Sequence, residues 1–83
     1  MSEKPMKKMW AGWEYTTTIT SDNAEGWTAL ELTKRKGGSA ERAARVVFWD
    51  ADGQFSLEVL VRELPLAIVE ELIGEAKATI KVG

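Results

Sequence analysis

The two aspartates in the stretch VVFWDADGQFSLEV resemble part of a metal-binding motif. An EF-hand calcium loop takes oxygen ligands at positions 1, 3 and 5, has Gly at position 6 and a bidentate Glu at position 12. With Gly53 at position 6, Asp52 and Asp50 occupy positions 5 and 3, but positions 1 and 12 fall on Phe48 and Val59. Apolar residues recur at every second position on both sides of residues 50–53. This alternation predicts a β-hairpin turn there, in which Gly53 supplies a positive φ.

Side chains suited to catalysis are few in the rest of the chain. The sequence has neither Cys nor His, which excludes thiolate chemistry and removes the commonest general base and zinc ligand. A carboxylate pair is chemically possible, but the clustered Asp50 and Asp52 lie in the predicted turn. The glycines of KGGSAER lack the spacing that wraps a phosphate. We predict a protein that is not an enzyme and that holds no cofactor and no metal.

The remaining sequence feature that indicates a function is the presence of tryptophans together with a local excess of basic residues. The net charge is −2, yet residues 33–45 hold five basic side chains against Glu41. Such asymmetry indicates an anion-binding surface, and the competing interpretation is a solvated loop. Aromatic rings that stack on bases, beside cations that take phosphates, are typical of single-strand binding. The candidate nucleic-acid-binding residues are Lys34, Arg35, Lys36, Arg42, Arg45, Trp10, Trp27 and Trp49.

The period of the apolar residues predicts four strands followed by a helix. Alternation with period two marks residues 9–20, 27–35, 44–49 and 55–62 as strands. The segment ERAARVV is expected to begin as a short helical turn before the third strand. The last apolar positions recur at steps of three, four and seven, with Pro65 in the first turn and Gly74 weakening the helix. They are Leu66, Val69, Leu72, Ile73, Ala76 and Ile80.

The predicted fold class is α+β, a four-stranded antiparallel sheet with one C-terminal amphipathic helix on one face. Residues 1–8 form a flexible N-terminal tail, and residues 9–83 form a single ββββα domain. The face packed on the helix is expected to hold Tyr15, Ile19, Leu30, Leu32, Val46, Phe48, Phe55, Leu57 and Val59. The face that the helix leaves open is expected to hold Trp10, Trp27, Trp49, Arg35, Arg45 and Arg62, and exposed tryptophans of this kind usually mark a contact site.

Length and hydropathy suggest where the protein acts. A chain of 83 residues is expected to form one domain, and such a small core is often helped by oligomerisation. No apolar run approaches the roughly 20 residues needed to span a bilayer. The start, MSEKPMKKMW, lacks the apolar segment of a secretory signal. We expect a cytoplasmic protein without a membrane partner.

The strand order, the basic connection TKRKGGSAERAAR and the passage FSLEVLVRELPLAIVEELI resemble a known family. In that passage a strand runs through a Pro directly into an amphipathic helix. The layout is similar to the single-strand-DNA-binding transcriptional coactivators and the plant Whirly proteins, at the level of architecture over about residues 9–80. The resemblance implies a homodimer built through the helices, and binding of single strands by the sheet and by a basic hairpin at Lys34, Arg35 and Lys36.

Two functions from different classes follow from these patterns. The first is a non-catalytic domain that binds single-stranded DNA or RNA, acting as a homodimer. The second is a protein–protein interaction or structural module that uses the open Trp and Arg face, because Trp and Arg are also enriched in binding hot spots. The low pI of about 5.1 favours the second function over strong non-specific nucleic-acid binding.

Overall fold

The computed structural model describes residues 5–80, which form an antiparallel sheet of five strands and one C-terminal helix. The predicted α+β class is confirmed, and the sheet has one strand more than expected. The strands lie in the sheet in chain order, so that each strand forms a hairpin with the next. The elements are β1 (Lys7–Trp10), β2 (Trp13–Asp22), β3 (Trp27–Lys36), β4 (Ser39–Trp49), β5 (Gln54–Val59) and α1 (Leu66–Thr79).

A two-residue turn divides the predicted first strand into β1 and β2. Ala11 and Gly12 both have positive φ, 52° and 83°, as expected for the tight turns that match the twist of a hairpin. The turn reverses the chain and pairs Trp10 with Trp13 across the two strands. Trp10 therefore lies on the helix face, and its assignment to the open face beside Trp27 and Trp49 is wrong. The alternation of residues gave the wrong face for Trp10 because it was followed through residues 9–20 as one continuous strand.

Three other boundaries differ from the sequence-based expectation. Lys7 and Lys8 lie in β1 and not in a tail, while residues 1–4 of the predicted tail lie outside the described residues. The segment ERAARVV is strand throughout, because the chain turns at Gly37 and Gly38 and pairs with β3 at once. Arg62, assigned to the open face, follows the end of β5 in the connection to α1. The predicted turn over residues 50–53 between β4 and β5 is confirmed.

A β-bulge in β4 sets the direction of its basic side chains. Leu32 pairs with Ala44, but its neighbour Thr33 pairs with Arg42, so Ala43 is an extra residue in β4. The insertion shifts the alternation by one and places Arg42 on the same face as Arg45. Without it, Arg42 would lie on the helix face.

The core lies between α1 and the middle of the sheet. Ile68, Leu72, Ala76 and Ile80, spaced by four, are buried against side chains of β2, β3 and β4. Of the residues predicted to form the apolar stripe of the helix, Leu72, Ala76 and Ile80 are confirmed as buried, whereas Leu66 is 72% exposed. Ile19, Leu57 and Val59 belong to the helix face by register but remain exposed, because α1 lies mainly over β3 and β4.

A buried hydroxyl ties the start of the described chain to the helix. Thr17 Oγ1 lies 3.0 and 2.8 Å from the two carboxylate oxygens of Glu75 and donates to this group. The same oxygen accepts the amide of Met6 at 2.8 Å. Because Met6 is part of the core, this network fixes the entry to β1 against α1.

The Ala11 turn provides a test of the extra hairpin. Left-handed backbone costs an L-residue about 1 kcal/mol, and Asn tolerates it better than Ala. Ala11→Asn is expected to raise the free energy of unfolding by about 0.5–1 kcal/mol in urea denaturation. Ala51→Asn, at another exposed turn position, is the control and should change little. Equal effects of the two variants would contradict the turn conformation.

Loss of the Thr17 hydroxyl should destabilise the fold. Thr17→Val leaves the half-buried Glu75 carboxylate without its closest donor, a cost of roughly 1–3 kcal/mol. The exposed neighbour is the control, since Thr18→Val is expected to stay within about 0.5 kcal/mol. Thermal or urea unfolding of both variants measures the difference. The network has no structural role if the two variants unfold alike.

Candidate nucleic-acid interface

Two hairpin turns lie side by side at one end of the sheet. The β1–β2 turn at Ala11 and Gly12 and the β3–β4 turn at Gly37 and Gly38 meet there, because β2 and β3 are neighbouring strands. A Cβ atom at Gly12 would lie 3.6 Å from Lys36 Cε, so the Lys36 side chain lies against the first turn. This arrangement brings side chains from β1, β2 and β3 to one corner of the helix face.

The corner cluster consists of Trp10, Trp13, Lys34 and Lys36. The Lys34 ammonium lies 4.2 Å from the centroid of the Trp13 ring, and the Lys36 ammonium lies 5.5 Å from it. Both distances are within the range of cation–π attraction. Trp10 is the cross-strand neighbour of Trp13 and is 49% exposed. The cluster therefore presents one accessible indole beside two positive charges.

A cleft of about 370 Å³ opens beside the corner cluster. Clefts of roughly 300–1,000 Å³ are the usual size of small-ligand sites, and this volume can receive the ring of a nucleobase. The lining combines aromatic, basic and apolar side chains with one carboxylate. These residues are Trp10, Ala11, Trp13, Tyr15, Lys34, Glu63, Leu64 and Pro65.

The charges at this corner are only partly compensated. Lys34 forms an ion pair with Glu41 at 3.6 Å. In the part of the chain that the structure describes, neither Lys36 nor Arg35 has a carboxylate within 4.0 Å. The described helix α1 has no acidic residue in its first turn, and Glu63, two residues before the N-cap Pro65, is the one carboxylate that lines the cleft. An anion at the corner would thus meet one ammonium group, that of Lys36, that has no carboxylate partner within residues 5–80.

The open face of the sheet is the face opposite α1 and has a different charge balance. Trp27 and Trp49 are cross-strand neighbours there, and the Arg45 guanidinium lies 5.6 Å from the Trp27 ring centroid. Arg45 Nε is 2.9 Å from Glu58 Oε1, and Arg42 Nε is 3.5 Å from Glu31 Oε1. Each of these arginines is matched by a carboxylate, which leaves little net attraction for phosphates.

The structure separates the eight predicted site residues into two groups. Lys34, Lys36 and Trp10 lie together at the corner cluster, whereas Arg42, Arg45, Trp27 and Trp49 lie on the open face. Arg35 is on the open face at its corner end, paired in register with Glu14 and Ala40. Trp13 was not among the predicted site residues. The segment WAGW, in which Gly precedes the second of two aromatic residues, is a signal for a tight hairpin that would have placed Trp13 beside Trp10.

Within residues 5–80 no group of three or more Asp and Glu side chains lies close enough to hold a metal ion. The same residues contain no helix that is both long and apolar enough to cross a membrane.

Comparison of this chain with protein-family models, curated proteins and solved structures finds no match. The resemblance to the single-strand-binding coactivators stays a prediction. The assignment of function therefore depends on the geometry of the two aromatic regions.

Proposed function

We propose that this protein is a non-catalytic domain that binds single-stranded nucleic acid at the corner cluster. One observation carries the proposal: Lys34 and Lys36 lie within 4.2 and 5.5 Å of the Trp13 ring, beside the exposed indole of Trp10. Aromatic platforms flanked by cations are the recurring chemistry of single-strand binding without sequence preference.

Each side chain of the corner has a separate task in this proposal. Lys36 takes phosphate oxygens, and Lys34 adds positive charge while it supports the Trp13 ring. A base stacks on the accessible ring of Trp10, over the cleft. Stacking requires an unpaired base, because a base within a duplex already has both faces covered. The corner therefore favours single strands over duplex and does not distinguish DNA from RNA by itself.

A protein contact on the open face is the second candidate function. It is supported by the cross-strand pair of Trp27 and Trp49, in which the adjacent arginines are already neutralised by Glu31 and Glu58. Trp and Arg with compensated charge suit a protein surface better than a polyanion. We also propose that the chain acts as a homodimer, with the interface described in the next subsection.

Charge-matched variants separate the two surfaces. Lys34→Gln with Lys36→Gln removes two positive charges from the corner, and Arg42→Gln with Arg45→Gln removes two from the open face. In fluorescence-anisotropy titrations of labelled oligo-dT, the corner variant should reduce the log–log salt slope by about 0.7 for each phosphate that loses its cation, which is about 0.7 for Lys36 alone and about 1.4 if Lys34 also contributes. The open-face variant should leave that slope nearly unchanged. If the open-face variant reduced the salt slope and the corner variant left it unchanged, binding would be assigned to the open face.

A pair of tryptophan variants tests stacking independently of charge. Trp10→Ala should weaken oligo-dT binding by about 1–3 kcal/mol, roughly 5- to 150-fold, without changing the salt slope. Trp49→Ala, which removes an exposed indole from the open face, is the control. If the unmodified protein forms no complex with oligo-dT at low salt, the nucleic-acid function is wrong and a protein contact through Trp27 and Trp49 takes its place.

A further inference from the structure

The two edge strands of the sheet differ in how well they are protected against pairing. β1 has four residues and carries Lys7 and Lys8, and lysines on a short edge strand discourage the addition of another strand. β5 has six residues, and the carboxylate of its one charged residue, Glu58, is held by Arg45 at 2.9 Å. On its helix-side face, Leu57 and Val59 are 44% and 49% exposed. β5 thus lacks the usual protection of an edge.

Alternate residues of β5 direct their backbone N–H and C=O groups away from β4, beyond the edge of the sheet. The amide of Leu60 donates to the carbonyl of Ala43 at 2.8 Å, and this bond continues the β4–β5 register. Bonding direction alternates along an antiparallel strand. The backbone groups of Phe55, Leu57 and Val59 therefore face away from β4. An incoming strand would meet a row of donors and acceptors flanked by apolar side chains.

The geometry points to a second copy of this chain as the strand that pairs with β5. We propose an isologous dimer in which two β5 strands pair antiparallel about a two-fold axis at Leu57. This register uses the outward backbone groups of all three residues and opposes Phe55 to Val59 across the axis. It also opposes Glu58 to Ser56, so that no like charges face each other. The edge is therefore self-complementary in hydrogen bonding, polarity and charge.

The proposal deepens the homodimer part of the proposed function by naming its interface, and it does not depend on nucleic-acid binding. It places the interface on a sheet edge, whereas the family resemblance implies a dimer through the helices. In the structure, the helix residues Ile68, Leu72 and Ala76 are already buried in their own sheet. The corner cluster lies near the opposite edge of the sheet, formed by β1. Both copies of the cluster thus stay accessible in the dimer.

Sedimentation equilibrium on the full chain tests the interface with a matched pair of variants. The unmodified protein should approach twice 9.2 kDa as its concentration rises. Leu57→Lys places two ammonium groups opposite each other at the axis and should raise the dimer dissociation constant at least about tenfold. Met9→Lys adds the same charge at an exposed position of the β1 edge, and its dissociation constant should equal that of the unmodified protein. Circular dichroism verifies that both variants fold.

Hydrogen exchange on the unmodified protein provides a second measurement that needs no variant. Protection of the Phe55, Leu57 and Val59 amides should increase with protein concentration, because these are the bonds that form between copies. A monomer at every concentration would overturn the proposal. So would a dimer that persists in Leu57→Lys, or one whose concentration-dependent protection lies outside β5. Continued growth beyond the dimer would indicate head-to-tail pairing of β5 with β1 and would also contradict it.

Discussion

The two-residue turn at Ala11 and Gly12 determines where Trp10 lies relative to Trp13 and the lysines of β3. Positive φ at both residues folds β1 back onto β2 and places Trp10 opposite Trp13. Since β3 pairs with the other side of β2, Lys34 and Lys36 reach the same corner. A continuous strand would instead have placed Trp10 far from these lysines. The placement of the accessible Trp10 indole beside the two ammonium groups, and its part in lining the cleft, follow from this reversal.

The single described helix produces a second constraint, because it can cover only part of one face of a five-stranded sheet. α1 lies mainly over β3 and β4, which leaves Leu57 and Val59 of β5 exposed and leaves Trp27 and Trp49 on the open face. These uncovered regions differ in charge. Arg42 and Arg45 on the open face are paired with glutamates, while Lys36 at the corner has no carboxylate within 4.0 Å in residues 5–80. That difference, and not the number of tryptophans, is the basis for proposing phosphate binding at the corner and a protein contact on the open face.

Local periodicity predicted most of the fold, and backbone irregularities account for most of what it missed. The change from period two to a helical stripe correctly marked α1, and the turn at DADG was recognisable because Asp and Gly favour that conformation. Two features could not be found by counting alternation. The turn at Ala11 lacks the usual Asn or Asp before its glycine, and the bulge at Ala43 has no mark in the sequence. The turn shifts the parity of β1, which is why Trp10 was assigned to the wrong face and Trp13 was not considered part of the site. The bulge shifts the parity of β4 and decides the face on which Arg42 lies.

The indole N–H resonances of the protein test the central claim most directly. The chain has four tryptophans, all within residues 5–80, so that a two-dimensional NMR spectrum resolves one side-chain signal for each. On titration with oligo-dT at low salt, the signals of Trp10 and Trp13 should shift progressively to saturation, because a base then stacks at the corner cluster. The signals of Trp27 and Trp49 should stay in place. Shifts confined to Trp27 and Trp49, or no shift at saturating oligonucleotide, would contradict binding at the corner.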